Sequence, residues 1–534
     1  YQSLTFEELN LDSDACVRIL RKAGVQQAMR VLVMVRPGMD LLLVCFALFK
    51  IGAIPIIIDP GMKLRNFLSC VIQSSPEAMV GISHAYYTSF DSDNPFATKE
   101  MLDHIRREKF DLVLPLVMRE HKIDMWIHVI RPWTWSGTEF RKLEHMNLNY
   151  RSIDSSDPLR YEFGSNAAVI VFTDQGGDRI ERVVFEGEVE DPSAFDIVRG
   201  QSPFINQENY EIMDYVKENS YKVPASEMGY RFMGLGKFVL ERDPKRIGVN
   251  YAETLSFAEG SETYTLALTD GISYADHLHL SKALGDKYAR RMVSAEHLIL
   301  DYLTRSVLGE IVLFGGSGRG SEEGRKQQFD PIVPGVTTLM DVDGGWYCTR
   351  EWDHDEEVFS SVPLQRGDMF QSGQIPYYIL KDGEAKPPQE ILRLWDEVVK
   401  VRKIISRNVK IGDTGREALK RIIDKLEGEG MAYIDRDRYD VTLDPEKTQV
   451  HLDLHQVGKG VLAPRVSPMG PKWHSDKKIP LLLTLGVEYM VHMPVPEWGK
   501  GNHLYYCSLH ERGVVTERGV EFALPPVSAI QTIR

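Results

Sequence analysis

The residues best suited to chemistry lie between Thr448 and Arg518. His451, Asp453 and His455 recur at every second position of VHLDLH. Successive side chains of a strand alternate, so all three would leave one face. Two imidazoles and a carboxylate on one face suit a single divalent cation, since both are ordinary ligands for such ions. Glu488 and His492 are four apart in VEYMVHMP and would share a face of a second strand. Further on, Ser508-Leu509-His510-Glu511-Arg512 offers either His510 or Glu511, because alternation lets only one point at a given site. The plain alternative is a solvated face of hydrogen-bonded histidines. A metal site needs ligands that converge from several segments.

Such segments need a large scaffold, and the chain has one. Its 534 residues suggest about three or four domains of ordinary size. Composition is globular, with 43% hydrophobic and 26% charged residues. Asp plus Glu number 77 against 63 Lys plus Arg, a net charge of −14, which argues against a general nucleic-acid binder. Five cysteines, odd in number and with no CxxC pair, argue against a disulfide framework or zinc knuckle and fit a reducing, cytoplasmic setting. The early apolar run Leu41 to Ile58 contains Lys50, Gly52 and Pro55 and reads as a buried helix and strand, not a membrane span.

The first ninety residues read helix (Leu4 to Gly24), strand (Arg30 to Val35), helix (Asp40 to Lys50), strand (Ala53 to Ile58) and helix (Leu64 to Gln73). That order predicts a parallel α/β layer. Ser89 to Ala97 reads as a linker. Beyond it, Ile123 to Ile130, Ala167 to Thr173, Arg182 to Phe185 and Arg246 to Asn250 read as strands, with DQGGDR as a hairpin connection. Pro115 argues against an unbroken helix through Phe110 to Val117. Trp133 and Trp135 read as anchors of a surface loop rather than pocket walls.

The opening RVLVMVRPGMDLLLVCFALFKIGAIPIIIDPGMKLRNFLSC resembles the start of the acyl-adenylate-forming ligases, the AMP-binding acyl-CoA synthetases and their relatives. The resemblance covers about residues 1–90. That family's chemistry requires a Ser/Thr/Gly-rich phosphate loop with a lysine. Gly315 to Gly324, the nearest Gly-rich stretch, lacks the Thr-rich signature and reads as a flexible loop. The resemblance therefore implies an α/β fragment without its catalytic half.

Later segments resemble a second family. MREHKIDMWIHVI, AVIVFTDQGGDRIERVVF and KRIGVNYAETLSF are similar to the N-terminal domain of the creatinase and aminopeptidase P family. PIVPGVTTLMDVDGGW, KIGDTGREALKRIIDKLEGEG and VEYMVHMPVPEWGKG are similar to its pita-bread catalytic domain. The resemblance implies two divalent metals (Mn, Co, Fe or Zn) held by two aspartates, a histidine and two glutamates. The ions would offset carboxylate repulsion and activate a bridging water.

Taken residue by residue, the implied site is incomplete. The first aspartate position falls near Ser372 or Gly373. The second is lost where Ile375-Pro376-Tyr377-Tyr378 runs straight to Ile379-Leu380-Lys381-Asp382, so a hairpin is expected to be deleted and Asp382 to be a turn residue. Around the family's histidine only His455 remains, with Lys459 or Gly460 in the expected place. Glu488 matches the first glutamate, and His510 or Glu511 the second. His455, Glu488 and Glu511 are thus the expected metal ligands, with His451 or His492 assisting as acid or base.

The expected fold class is α/β and α+β. An N-terminal α/β fragment (1–90) precedes a mixed-sheet, creatinase-like N-domain (91–300) and a pita-bread catalytic-type domain with a strand deletion (301–534). The expected function is that of an Xaa-Pro aminopeptidase/creatinase-like, metal-dependent amide or peptide hydrolase homologue with an incomplete metal site, its activity left open. A non-catalytic dimerisation or binding protein is the alternative, and a remnant of an AMP-forming ligase the second. Expected partners are a peptide or small amide and a second copy in a homodimer, with no nucleic acid and no membrane.

Overall fold

The computed structural model describes residues 5–22, 24–35, 39–57, 78–81, 95–130, 159–165, 167–200, 231–255, 269–311, 332–342, 346–349, 361–372, 374–436, 438–457, 461–499, 501–523 and 526–534. The expected helix at Leu64 to Gln73, the tryptophans Trp133 and Trp135, the Gly315 to Gly324 loop, and Lys459 and Gly460 lie outside these residues. The chain divides into two units, Tyr1–His104 and Ile105–Arg534.

In the first unit, α1 (Phe6–Lys22), β1 (Arg30–Met34), α2 (Met39–Ile51), β2 (Ile54–Ile57) and β3 (Ala78–Gly81) follow in order. The strands form a parallel sheet in the order β2-β1-β3. Parallel neighbours need crossovers, and α2 supplies the one between β1 and β2. Gly52, at φ +79°, ends α2 with its N–H on the Phe49 carbonyl. Val31, Val33, Ala47, Leu48 and Ile51 form the core.

α3 (Pro95–Leu112) runs across the division of the chain. A break at Val113 separates it from α4 (Leu114–Glu120), whose first turn carries Pro115 where a missing N–H costs no helical bond. Beyond them lie β4 (Met125–Ile130), α5 (Leu159–Phe163), β5 (Ala168–Thr173), β6 (Glu181–Gly187), β7 (Ile197–Val198), α6 (Leu235–Arg242), β8 (Ile247–Val249), α7 (Tyr274–Ala289), β9 (Met292–Ser294) and α8 (Glu296–Thr304). Their six strands make a mixed sheet, β7-β6-β5-β4-β8-β9. The β5–β6 connection contains Gly176 and Gly177 at positive φ, as a tight DQGGDR turn requires. Both faces of the sheet are covered, so β4 and β5 are buried throughout. Lys109 is fully buried and is neutralised by Glu162 at 3.0 Å and Glu310 at 3.4 Å.

The last part begins with β10 (Trp346–Tyr347), β11 (Met369–Ser372) and β12 (Ile375–Ile379). β11 and β12 pair antiparallel, with Ser372 opposite Ile375. Asp382 follows in a Lys381–Glu384 turn with Gly383 at φ +85°. α9 (Gln389–Asn408) and α10 (Gly415–Gly428) come next; Thr414 and Glu417 close a capping box on α10. Then follow β13 (Ala432–Tyr433), β14 (Gln449–Gln456), β15 (Arg465–Val466), α11 (Lys472–Asp476), β16 (Thr484–Pro494), β17 (His503–Thr516), β18 (Gly519–Phe522) and β19 (Gln531–Ile533).

One sheet runs β13-β14-β16-β17-β18, with β15 on β14, and another runs β10-β11-β12-β19. The side-chain amide of Gln371 joins them. It accepts from the Cys507 N–H at 3.2 Å and donates to the Cys507 carbonyl. The Tyr505 N–H adds a bond to the Cys348 carbonyl at 3.0 Å. Under the first sheet, Leu394, Val398, Val401 and Ile405 of α9 pack on Leu452, Leu454, Val487 and Val491. Burying each such side chain contributes about 1.5–3 kcal/mol. The chain is thus a mixed α/β protein with several sheets, parallel, antiparallel and mixed.

Candidate metal centre

Strand alternation divides the polar residues of the β14–β16–β17 sheet between its faces. Val450, Leu452 and Leu454 point to α9 and α10, so His451, Asp453 and His455 point the other way. In the antiparallel register Asp453 lies opposite Glu488. Ligand atoms of Asp453, His455 and Glu488 all lie within 4.8 Å of one another. His455 Nε2 is 3.7 Å from Glu488 Oε2. Two ligands of one tetrahedral ion, each bonded at about 2.1 Å, stand about 3.4 Å apart. The donor set therefore fits one cation: an imidazole and two carboxylates, with His455 Nδ1 3.0 Å from the Gln456 carbonyl to orient the ring.

Asp453 already has a positive partner. Arg465 Nε donates to Oδ1 at 2.7 Å and Nη2 donates to Oδ2. Burial pushes the Asp453 carboxyl up, but the Arg465 hydrogen bonds and charge outweigh it and hold the group below the usual carboxylate range. Burial opposes charge on His455, yet the neighbouring Glu488 and Asp453 carboxylates and the Gln456 carbonyl raise it. A cation at this site would thus compete with both a guanidinium and a proton.

Glu511 lies elsewhere. A register shift between Val487 and Tyr489 places Glu511 opposite Val487, whose side chain is in the helix-facing core. Its carboxylate meets α9, where Arg402 Nη2 donates at 2.6 Å and Nε at 3.1 Å. Arg402 Nε is also 3.2 Å from the Tyr489 hydroxyl. Burial pushes the Glu511 carboxyl up despite the Arg402 guanidinium. Glu511 therefore does not join Asp453, His455 and Glu488; a guanidinium occupies its only charged contact among the described residues. The side chain of His510 lies outside the described residues.

Neither candidate acid–base histidine belongs to the Asp453, His455 and Glu488 group. His451 Nδ1 is 3.0 Å from the Ile434 carbonyl. His492 is four residues beyond Glu488, in an aromatic cluster with Tyr439, His503 and Tyr505 at ring distances of 4.9–6.1 Å. Ser372, at the position where the family resemblance implies an aspartate, is buried at the end of β11.

Two residues were missed by sequence reasoning. Arg465 lies on the two-residue strand β15, opposite His455 of β14, and was hidden because cation–carboxylate pairing twelve residues apart has no periodic signature. His474 on α11 is fully buried with neither ring nitrogen hydrogen-bonded. Burial beside Arg465 pushes its pKa down to about 4, leaving the ring neutral at pH 7. The sequence signal available was PKWHSD, a histidine beside a tryptophan after Met469-Gly470-Pro471.

Comparison with known proteins gives two separate findings. Residues 1–122 match the AMP-binding enzyme family. Over 84 residues the chain is 39% identical to an olefin beta-lactone synthetase of Stenotrophomonas maltophilia, covering 16% of this chain and 15% of that protein. The chain thus spans only about one seventh of that relative's length. Among solved structures, the X-Pro aminopeptidase of Thermotoga maritima is similar at TM-score 0.40 and 14% identity, covering 78% of this chain and 100% of the other. The Xaa-Pro dipeptidase of Bacillus anthracis is similar at TM-score 0.39 and 12% identity, covering 82% and 100%. No helix among the described residues is long and apolar enough to cross a membrane.

Proposed function

We propose that this chain is an Xaa-Pro aminopeptidase/creatinase-like hydrolase homologue whose metal centre is reduced to a site for one divalent cation at Asp453, His455 and Glu488. The observation that carries the reading is their convergence from two neighbouring strands, with ligand atoms within 4.8 Å of one another. The sequence resemblance of residues 301–534 to the pita-bread domain supplies the class of chemistry. A two-metal centre does not fit the residues present. Glu511 is held by Arg402 on the opposite face, and the place near Ser372 or Gly373, where the resemblance implies an aspartate, carries no carboxylate.

A divalent ion held by these ligands supplies Lewis-acid polarisation of a carbonyl and an acidified water. The protein's own contribution is electrostatic. Asp453 and Glu488 provide the negative field, His455 the neutral donor, and the Gln456 carbonyl sets the ring orientation. Arg465 opposes cation entry by engaging both Asp453 oxygens. Expected substrates are a peptide or a small amide, and expected metals Mn, Co, Fe or Zn. Cation titration together with a peptide- and amide-hydrolysis assay tests this reading. One bound cation per chain supports it; the absence of any binding rejects it.

The Arg465–Asp453 pair specifically favours a second reading, a non-catalytic binding or homodimerising protein on the same scaffold. There the guanidinium, not a metal, would neutralise the site. The AMP-binding match over residues 1–122, together with an 84-residue alignment that covers 15% of the synthetase, supports a ligase remnant as a further reading. Cytoplasmic residence, without membrane or nucleic-acid partners, is proposed on the cysteine usage and the net charge of −14.

A further inference from the structure

We propose that Arg465 is a two-position latch on the cation site and that His474 is its second position. The inference rests on the reading of Asp453, His455 and Glu488 as a cation site. In the structure Arg465 is on Asp453, through Nε and Nη2. Its third nitrogen, Nη1, faces Gly470. A Cβ on Gly470 would lie 2.6 Å from Arg465 Nη1 and 3.3 Å from His474 Nδ1. The guanidinium and the imidazole therefore border the same small space, which stays open because residue 470 is glycine at φ +81°.

His474 is otherwise hard to explain. Its side chain is fully buried, and neither ring nitrogen has a hydrogen bond. A buried polar group without a partner costs free energy in the state that leaves it unpaired, and so calls for an explanation. A neutral imidazole offers one donor and one acceptor nitrogen, and guanidinium is a pure donor. Trp473 Nε1, also buried without a partner, is only a donor and cannot receive Arg465. The imidazole is thus the acceptor adjacent to Nη1.

The two positions have a simple electrostatic logic. A divalent cation on Asp453, His455 and Glu488 repels a guanidinium on the same carboxylate, strongly so in a buried site. Arg465 must then leave Asp453, and a buried guanidinium needs a new acceptor. Rotation toward Gly470 brings Nη1 to His474. Without a cation, Arg465 returns to Asp453 and neutralises it. His474 is a positioning residue for the site in this scheme and touches no cation itself.

Isothermal titration of the full chain with Mn2+ and Zn2+ tests the latch, using wild type, His474→Leu, His474→Gln, Arg465→Gln and the Arg465→Gln/His474→Leu double variant. Circular dichroism confirms that each is folded. Loss of a residue that supports a metal ligand indirectly costs about 10–100-fold in affinity, and His474→Leu is expected to fall in that range. His474→Gln keeps an acceptor oxygen and binds nearly as wild type. Arg465→Gln binds more tightly than wild type, and adding His474→Leu to it changes nothing further. NMR of 15N-labelled histidine gives an independent readout: cation shifts the His474 ring nitrogens in wild type and leaves them unmoved in Arg465→Gln. Wild-type affinity in His474→Leu would overturn the latch alone, as would an equal loss in both arginine backgrounds. No binding by either wild type or Arg465→Gln would overturn the cation site and the latch with it.

Discussion

Arg465 and Asp453 form a two-point ion pair, with Arg465 Nε 2.7 Å from Asp453 Oδ1 and both residues less than a tenth exposed. The pair neutralises a carboxylate whose oxygen lies within 4.8 Å of ligand atoms of His455 and Glu488. Arg402 does the same for Glu511 on the other face of the sheet. Two arginines thus hold two carboxylates of one sheet, one on each face.

Replacing Arg465 by Met leaves the Asp453 carboxylate buried without its partner. Removing one member of a buried pair costs about 3–5 kcal/mol. Urea unfolding at pH 7 is expected to show a loss of that order, partly restored by added divalent cation. The depressed Asp453 carboxyl contributes stability above its unfolded pKa of about 3.9, and loses it as pH falls through the lower folded value. The wild-type advantage over Asp453→Asn should therefore vanish only in acid below about pH 4.

Arg402→Met should destabilise the protein by a similar amount, about 3–5 kcal/mol, because Glu511 is then alone beneath α9. The double variant Arg402→Met/Glu511→Leu should recover most of that loss, since replacing both members of a buried pair by apolar groups is often neutral. Equilibrium unfolding of the four proteins checks this as a double-mutant cycle.

His474 predicts a pH dependence of opposite origin. Its folded pKa, about 4, is below the ordinary 6.5, so the unfolded chain binds the proton first. Its contribution is fully present above 6.5 and is lost as pH falls from 6.5 towards 4. The shift corresponds to on the order of 3 kcal/mol. His455, whose pKa is raised, contributes in the reverse sense. The difference in unfolding free energy between wild type and His474→Gln, measured from pH 7.5 to 4, isolates the first effect.

Lys109→Met should be among the most disruptive changes distant from the site. It leaves Glu162 and Glu310 facing each other in a buried position. The expected loss is again about 3–5 kcal/mol, and Glu310→Gln in the same chain should relieve part of it. Thermal and urea unfolding of the single and double variants provide the check.

Much of the fold was legible because hydrophobic period and turn residues specify local structure. VHLDLH alternates and is β14; Pro115 divides α3 from α4; Gly176-Gly177 turns β5 into β6. The face that Asp453 and His455 share followed from the same alternation. The partners did not. Arg465 reaches Asp453 across a loop, and Arg402 reaches Glu511 from a helix more than a hundred residues earlier. Such pairs depend on tertiary register, and the shift at Val487/Tyr489 is what carries Glu511 to the helix face. Gln371 is a similar case: its amide substitutes for backbone bonding between two sheets, which no local pattern announces.

The most direct measurement is cation stoichiometry and its dependence on the two glutamates. Purified protein is titrated with Mn2+, Co2+ and Zn2+ by calorimetry, with metal content checked by mass spectrometry. The account predicts one cation per chain, binding abolished or severely weakened in Glu488→Gln, and binding unchanged in Glu511→Gln. Two cations per chain, or equal loss of binding in Glu511→Gln and Glu488→Gln, would contradict it.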